Sequence, residues 1–373
     1  MKILVTGGAG FVGSHIVDLL LEKGHQVRVL DCLEPQVHGA GRAVPGYLSP
    51  EAELIVGDVR DHDAVRRALE GVEAVFHQAA AVGVGQSMYE IERYVSANSL
   101  GAAVLLDTIH RERCQLAKMV VASSMSIYGE GLYVCAGCGP VHPRLRPEAQ
   151  LAAHQWEMLC PRCGGATRPA PTPEDKPLLP TSVYAVTKRD HEELFLSVGE
   201  AYRIPTVALR YFNIYGPRQA LSNPYTGVAA IFSCRLLAGN RPLVFEDGLQ
   251  SRDFIHVRDI ARANLLALEK SGADYHAVNV GSGRATSLQE LLALLAGRLG
   301  VELEPEYVNR FRAGDIRHCS ADIGRARSLL GFEPSIAFAE GVDDLAAWAR
   351  TQRPVDGVDG AREELARHGL IRS

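Results

Sequence analysis

No apolar run in this chain approaches the roughly 20 residues that a membrane-spanning helix needs. Positive charge is not in excess either. The formal net charge is −5, which gives no footing for a nucleic-acid backbone or an anionic membrane as partner. No internal repeat is visible. The first residues, Met1-Lys2-Ile3-Leu4-Val5-Thr6, carry no signal-peptide cleavage pattern and run straight into glycines, so a cytoplasmic protein is expected. Cysteine is not scarce, with eight residues, but a disulfide scaffold is out of keeping with a reducing compartment and a chain of 373 residues. Metal ligands or free thiols are expected instead. An apolar content of 47% and a charged content of 22% are those of an ordinary globular enzyme, and the length suits two domains.

What is present alternates. Short apolar runs at 3–5, 27–30, 54–56, 74–76, 119–121 and 206–209 read as buried strands. Helical patterns separate them at 15–23, 63–69, 94–111 and 183–201, which implies a doubly wound parallel α/β sheet of the Rossmann type. Further helices are expected at 227–238, 257–268, 288–298 and 323–330, in a smaller α/β lobe that interleaves with the first. The division expected is a nucleotide-binding domain over 1–210, interrupted by an insertion at 130–180, a substrate domain over 211–352, and a tail over 353–373.

Gly7, Gly10 and Gly13 are spaced Gly-x-x-Gly-x-x-Gly between the first strand and the first helix, with Phe11 and Val12 opening that helix. Glycine permits the tight turn and the close approach of backbone amides to a pyrophosphate, and the helix N-terminus favours the negative charge. Asp31 lies eighteen residues after Gly13, at the end of the second strand. A carboxylate there accepts hydrogen bonds from ribose hydroxyls and repels a 2′-phosphate, so NAD is expected over NADP.

Tyr184 and Lys188 are four residues apart, one turn on one helix face. A free phenol titrates near ~10, and a neighbouring ammonium is expected to favour the phenolate and make it a base for a hydroxyl proton. Ser124 and Ser126 lie in Ser123-Ser124-Met125-Ser126, at the carboxyl edge of a strand where such sheets bind ligands. A hydroxyl there is placed to share the substrate's proton.

With these residues in view the chain resembles the extended short-chain dehydrogenase/reductase family, in its NAD-dependent sugar epimerase/dehydratase branch. The resemblance rests on Thr6–Gly13, Gly57-Asp58-Val59, His77–Ala81, Asn98 with Gly101, Ser123-Ser124, Tyr128-Gly129 and the Tyr184/Lys188 pair. The second half adds Leu209–Arg218, Ser251–Val257 and Arg312–Asp315. The resemblance implies that Asp58 and Val59 lie against the adenine, that Ala79, Ala80, Ala81 and Asn98 serve the cofactor, and that Lys188 also bonds the nicotinamide ribose. It implies that Asn213, Arg252 and Arg312 hold the diphosphate of a nucleotide-sugar, and that the protein is a homodimer. Surface ion pairs are the plainer reading of the two arginines.

Dehydratases of that family carry Asp-Glu where this chain has Met125 and Ser126, neither of which does proton chemistry at neutral pH. Epimerisation at C4 through a transient 4-keto sugar is therefore expected. Two alternatives stand beside it: a nucleotide-sugar reductase or oxidase with net hydride transfer, and a non-catalytic binding protein. Gln78 departs from the family's usual apolar residue after His77.

The insertion holds Cys135-Ala-Gly-Cys138 and Cys160-Pro-Arg-Cys163, separated by 21 residues. Four thiolates at this spacing suit tetrahedral zinc in a closed structural site; iron in the same cage and a redox dithiol are the rivals. Cys32, Cys114, Cys234 and Cys319 are isolated and read as buried thiols. Pro35–Gly39, Glu174–Pro177 and Arg218–Tyr225 resemble bacterial sequences described as dTDP-L-rhamnose 4-epimerases, which carry the same insert.

Overall fold

The computed structural model describes residues 1–372. Lys2–Thr6 forms strand β1, in which Ile3, Leu4 and Val5 have no exposed surface. Alternate side chains of a strand face opposite sides, and here both sides are covered. Ile3 and Val5 join a core with Val17, Phe76, Val120 and Leu209, while Leu4 joins another with Leu30, Val75, Val121 and Phe195. Burial on both faces is why these strands read as unbroken apolar runs.

Strands β2 (Gln26–Asp31), β3 (Glu53–Val56), β4 (Ala74–His77) and β5 (Lys118–Ser124) follow, separated by helices at Phe11–Glu22, His62–Leu69 and Gly101–Arg111. After β5 the chain leaves the sheet. It builds a small antiparallel sheet from β6 (Leu132–Cys135), β7 (Gly139–Val141) and β8 (Thr167–Ala170), in the order β7-β6-β8. The helix Val183–Tyr202 brings it back to β9 (Thr206–Tyr211). The main sheet has seven parallel strands: the strand His276–Val280, then β9-β5-β4-β1-β2-β3. The order reverses between β1 and β4, which opens a crevice at their carboxyl ends.

The two halves interleave. The helix Val257–Glu269 packs on Phe11–Glu22 and gives Ile260 and Ala263 to the first core, and His276–Val280 extends the sheet past β9. A third core joins the helices Val228–Leu237, Leu288–Leu299 and Phe338–Arg350 through Phe232, Leu236, Leu291, Leu295, Val342 and Leu345. The helix Phe338–Arg350 was not anticipated, although Val342, Leu345, Ala346 and Ala349 are buried at helical spacing.

Two further expectations need correction. The helix expected over 94–111 is interrupted: Ile91–Val95 and Gly101–Arg111 flank a π-helical turn at Ser96–Leu100. Of the four isolated cysteines, Cys234 and Cys319 are buried, but Cys32 and Cys114 are only partly so, with Cys114 packed at the margin of the second core. No helix among the described residues is long and apolar enough to cross a membrane.

Candidate active site

The glycine turn closes on itself without room for side chains. A Cβ on Gly13 would lie 2.2 Å from the Gly7 carbonyl oxygen; one on Gly7, where φ is +70°, would lie 2.7 Å from the Ala79 nitrogen. Gly10 precedes the helix Phe11–Glu22 with no side-chain cap. The first amides of that helix, including those of Phe11 and Val12, have no intrahelical acceptor and form a cradle for an anion. Asp31, at the end of β2, is buried and steered by backbone: Oδ2 accepts from Ala9 N–H at 3.0 Å and Oδ1 from Leu33 N–H at 2.9 Å. Asp58 pairs with Arg60, and Val59 packs over Gly101, where a Cβ would meet it at 2.7 Å. A dinucleotide fits this set: a tight amide cradle, then an oriented carboxylate one strand away.

Ala79, Ala80 and Ala81 follow β4 at its carboxyl end. Asn98 secures them: its Oδ1 accepts from Ala81 N–H at 2.7 Å, and its Nδ2 donates to the Ala81 carbonyl at 3.1 Å and to Thr187 Oγ1 at 2.9 Å. Asn98 has no exposed surface. It braces the loop that follows β4 against the Tyr184 helix. The π-helical turn that carries it supplies the off-register geometry such sites use.

Ser182 caps the Tyr184 helix by accepting from Ala185 N–H at 3.1 Å. Tyr184 thus stands at the start of the helix and Lys188 one turn on. Ser124, the last residue of β5, accepts from Ser126 N–H at 3.2 Å and from the Ser126 hydroxyl at 2.9 Å. Lys188 Nζ donates to the Ala122 carbonyl at 3.0 Å. The structure therefore brings Ser124, Ser126, Tyr184 and Lys188 together at one sheet edge.

The electrostatics differ from expectation. Burial pushes the Tyr184 phenol up to about 12, with the Ser124 hydroxyl opposing, and brings Lys188 down to about 7. Desolvation, which disfavours the charged form of each group, is the leading cause of both shifts, and Lys188 is not among the causes that lower the phenol. Behind them lie groups the sequence reading missed. Glu192, one turn beyond Lys188, accepts from Ser123 Oγ at 2.7 Å and from Arg210, which also donates to the Tyr128 hydroxyl at 2.6 Å. The four-residue spacing from Lys188 to Glu192 was the available signal. Gln78 finds buried partners that explain a polar residue there, the Tyr211 hydroxyl at 3.2 Å and Asn264 Oδ1 at 3.3 Å.

The three residues assigned to a diphosphate lie on the substrate lobe. Asn213 heads the strand β10 (Asn213–Tyr215), and its buried Oδ1 has no partner among the described residues. Arg252, on the strand Ser251–His256, donates to the carbonyls of Ser251, Arg317 and Ile316 at 2.8, 2.9 and 2.7 Å. Arg312 pairs with Asp315 at 2.8 Å and lies over the Phe245 ring at 4.8 Å. Only Arg312 makes the surface ion pair that was its plainer reading.

In the insertion the four sulfurs of Cys135, Cys138, Cys160 and Cys163 all lie within 4.8 Å of one another, with Cys135 and Cys163 3.6 Å apart. A tetrahedral ion with bonds of ~2.3 Å sets its sulfurs ~3.8 Å apart, so the donor set fits one metal of zinc's size. Cys160 N–H donates to the Gly165 carbonyl and Gly164 N–H to the Cys160 carbonyl, both at 2.8 Å, which folds the second knuckle around its thiols.

The model of the NAD dependent epimerase/dehydratase family matches residues 3–144 and 163–281, and the gap between them falls inside the insertion. A Burkholderia thailandensis protein named dTDP-L-rhamnose 4-epimerase is 36% identical over 354 residues, covering 93% of this chain and 94% of its own. Among solved structures, a UDP-glucose 4-epimerase from Thermotoga maritima with UDP-glucose superposes with a TM-score of 0.76 at 31% identity, over 94% of this chain and 99% of that one. A UDP-glucuronic acid 4-epimerase from Bacillus cereus, in complex with UDP-glucuronic acid and NAD, gives a TM-score of 0.77 at 26% identity with the same coverage. With a family match over more than half its length and a relative of this similarity end to end, the chain belongs to the NAD-dependent epimerase/dehydratase family.

Proposed function

We propose that the protein is an NAD-dependent nucleoside-diphosphate-sugar epimerase that inverts C4 through a transient 4-keto sugar. The observation that carries this reading is Ser124 at the end of β5 beside the helix that carries Tyr184 and Lys188, with Lys188 anchored to the Ala122 carbonyl of the same strand and with Met125 and Ser126 where a dehydratase carries an acid and a base. Gly7, Gly10, Phe11, Val12 and Gly13 hold the pyrophosphate, Asp31 the adenine ribose, and Asp58 and Val59 flank the base. Ala79, Ala80 and Ala81 line the cofactor, and NAD, when bound, supplies the acceptor and donor of hydride. Tyr184 takes the 4-hydroxyl proton, directly or through Ser124, and Lys188 holds the nicotinamide ribose. Asn213, Arg252 and Arg312 hold the diphosphate, since guanidinium forks match phosphate oxygens. Both hydride steps occur within one turnover, so no net reduction accumulates.

We assign zinc to the four-cysteine cage, on the sulfur separations and the thiolate-only donor set. Homodimer assembly belongs to the same reading and rests on the family resemblance. Cytoplasmic location belongs to the same reading, which takes the cysteines as metal ligands and free thiols.

The sugar is tested by incubating the protein with dTDP- and UDP-sugars, dTDP-L-rhamnose first, and reading the sugar product by NMR. A C4-inverted product with flat absorbance at the reduced-nicotinamide band is the expected result; a steady change in that band indicates net hydride transfer instead. Tyr184→Phe is expected to lose about a hundredfold or more in kcat while retaining NAD. Near-normal turnover of that variant removes Tyr184 from the chemistry.

A further inference from the structure

The cysteine insertion is tied to the substrate lobe by buried charge. Glu130, at its root, is 1% exposed; its Oε1 accepts from Arg317 N–H at 2.8 Å and its Oε2 from the Tyr133 hydroxyl at 2.9 Å. Arg146 makes a two-pronged pair with Glu246 at 2.8 and 2.9 Å. Glu157 accepts from Arg317 at 2.6 and 3.0 Å and lies 3.2 Å from His318 Nε2. Arg317 is the hub: it has no exposed surface, and its guanidinium also meets Asp247 at 2.7 and 2.9 Å and Glu246 at 3.0 Å.

The backbone of this hub faces the other way. The carbonyls of Ile316 and Arg317 accept from the two terminal nitrogens of Arg252. The orientation of Arg252 is therefore set by these two peptide groups, beside the carbonyl of its own neighbour Ser251. One of their residues has its amide held by Glu130 and its side chain held by Glu157. We infer that Glu130, Glu157 and Arg317 are positioning residues for Arg252, so that the cysteine insertion controls binding of the nucleoside diphosphate rather than the hydride step. This rests on the diphosphate role proposed for Arg252.

The physical reason is the cost of an unpaired buried charge. Arg317 cannot lose its proton, so weakening one carboxylate drives its guanidinium towards other partners or water. The 316–317 backbone moves with it, and Arg252 loses its aim. A guanidinium fork recognises phosphate through two parallel hydrogen bonds, so a small rotation is enough to weaken it. Tyr184 and Lys188 make no contact with this network, which leaves the proton and hydride steps unaffected.

The test uses the NAD-loaded protein, with free TDP and UDP titrated by calorimetry beside steady-state turnover. Glu157→Gln removes a charge at a half-exposed side chain with almost no change in volume, so it folds; Glu130→Gln is the second variant. Both are expected to raise the nucleoside-diphosphate Kd and the sugar-nucleotide KM about tenfold, with kcat within about twofold and bound NAD unchanged. In an Arg252→Ala background, Glu157→Gln is expected to add less than about twofold. An unchanged Kd in Glu157→Gln overturns the proposal, as does a fall in kcat at constant KM, or full additivity with Arg252→Ala. If Arg252→Ala alone leaves both Kd values unchanged, the diphosphate reading of Arg252 falls, and the positioning role with it.

Discussion

The ammonium of Lys188 has one protein acceptor, the Ala122 carbonyl, and burial brings its pKa to about 7. That value has a consequence for stability whose sign is fixed by linkage. Below about pH 7 the lysine is charged in both folded and unfolded chains, and the folded state carries the full desolvation cost. As pH rises from there towards the ordinary lysine value of 10.5, the unfolded chain holds more protons, so the folded state gains relative stability. Lys188→Met is therefore expected to be more stable than the parent by on the order of 2 kcal/mol at pH 6, with the gap closing by pH 10, while turnover is lost. Denaturant melts of both proteins across that range check this, and a gap that widens with pH sinks it. The pairing of Tyr184 with Lys188 was legible because helix spacing puts them on one face. The direction of their pKa shifts was not, because desolvation depends on neighbours such as Ala122 and His77 that meet them only in three dimensions.

Elements with their own periodicity were legible, and those stabilised from outside were not. The apolar runs of β1, β2, β4, β5 and β9 declared themselves because both faces of the sheet are covered there, while β3, at the sheet's edge, is only partly covered. Strands β6, β7 and β8 are three or four residues each, with Pro140 in β7 and Pro169 in β8. Proline cannot donate to a ladder, and both prolines sit on edge strands flanking β6, the positions where they are tolerated. In so short a sheet, Tyr133 and Cys135 alone alternate inward, and they pack with Val141, Met158 and Cys160 around the cysteine cage. The π-helical turn at Ser96–Leu100 was hidden for the opposite reason, since the helical pattern runs through it and only the need to aim Asn98 at Ala81 inserts it. Cys160→Ser is expected to take bound metal from near one ion per chain to near zero and to expose the amides of 132–170 to hydrogen exchange, while the main sheet stays protected. Metal analysis with exchange mass spectrometry reads both, and full protection without metal means the module folds without it.

At the scale of the whole molecule, the last residues tie the three parts together. The helix Val358–Arg367 places Leu365 against Gly85, and His368 stacks on Tyr89 with ring centroids 4.6 Å apart. The strand Ile371–Arg372 then pairs with Phe311–Arg312, and the Leu370 carbonyl accepts from Ala313 N–H at 2.8 Å. Arg372 reaches Glu148 of the insertion at 2.6 Å. One short segment thus touches the nucleotide-binding lobe, the loop carrying Arg312, and the insertion. Every contact joins residues far apart in the chain, so the sequence of the tail showed one short helix and nothing of this role. The tail adds little to the cores: Ala361 and Leu365 are its buried apolar side chains, worth about 3 kcal/mol together. A chain ending at Arg353 is therefore expected to fold and to keep NAD, since neither the glycine turn nor β5 touches the tail. Without its backbone partner, the strand Phe311–Arg312 loses its ladder, and Arg312 loses the register that its proposed diphosphate contact needs. The sugar-nucleotide KM is expected to rise about tenfold, with kcat changed by less than about threefold. Steady-state kinetics on the shortened chain, with its NAD content measured in parallel, decides this: an unchanged KM would mean that the Arg312 loop holds its shape unaided.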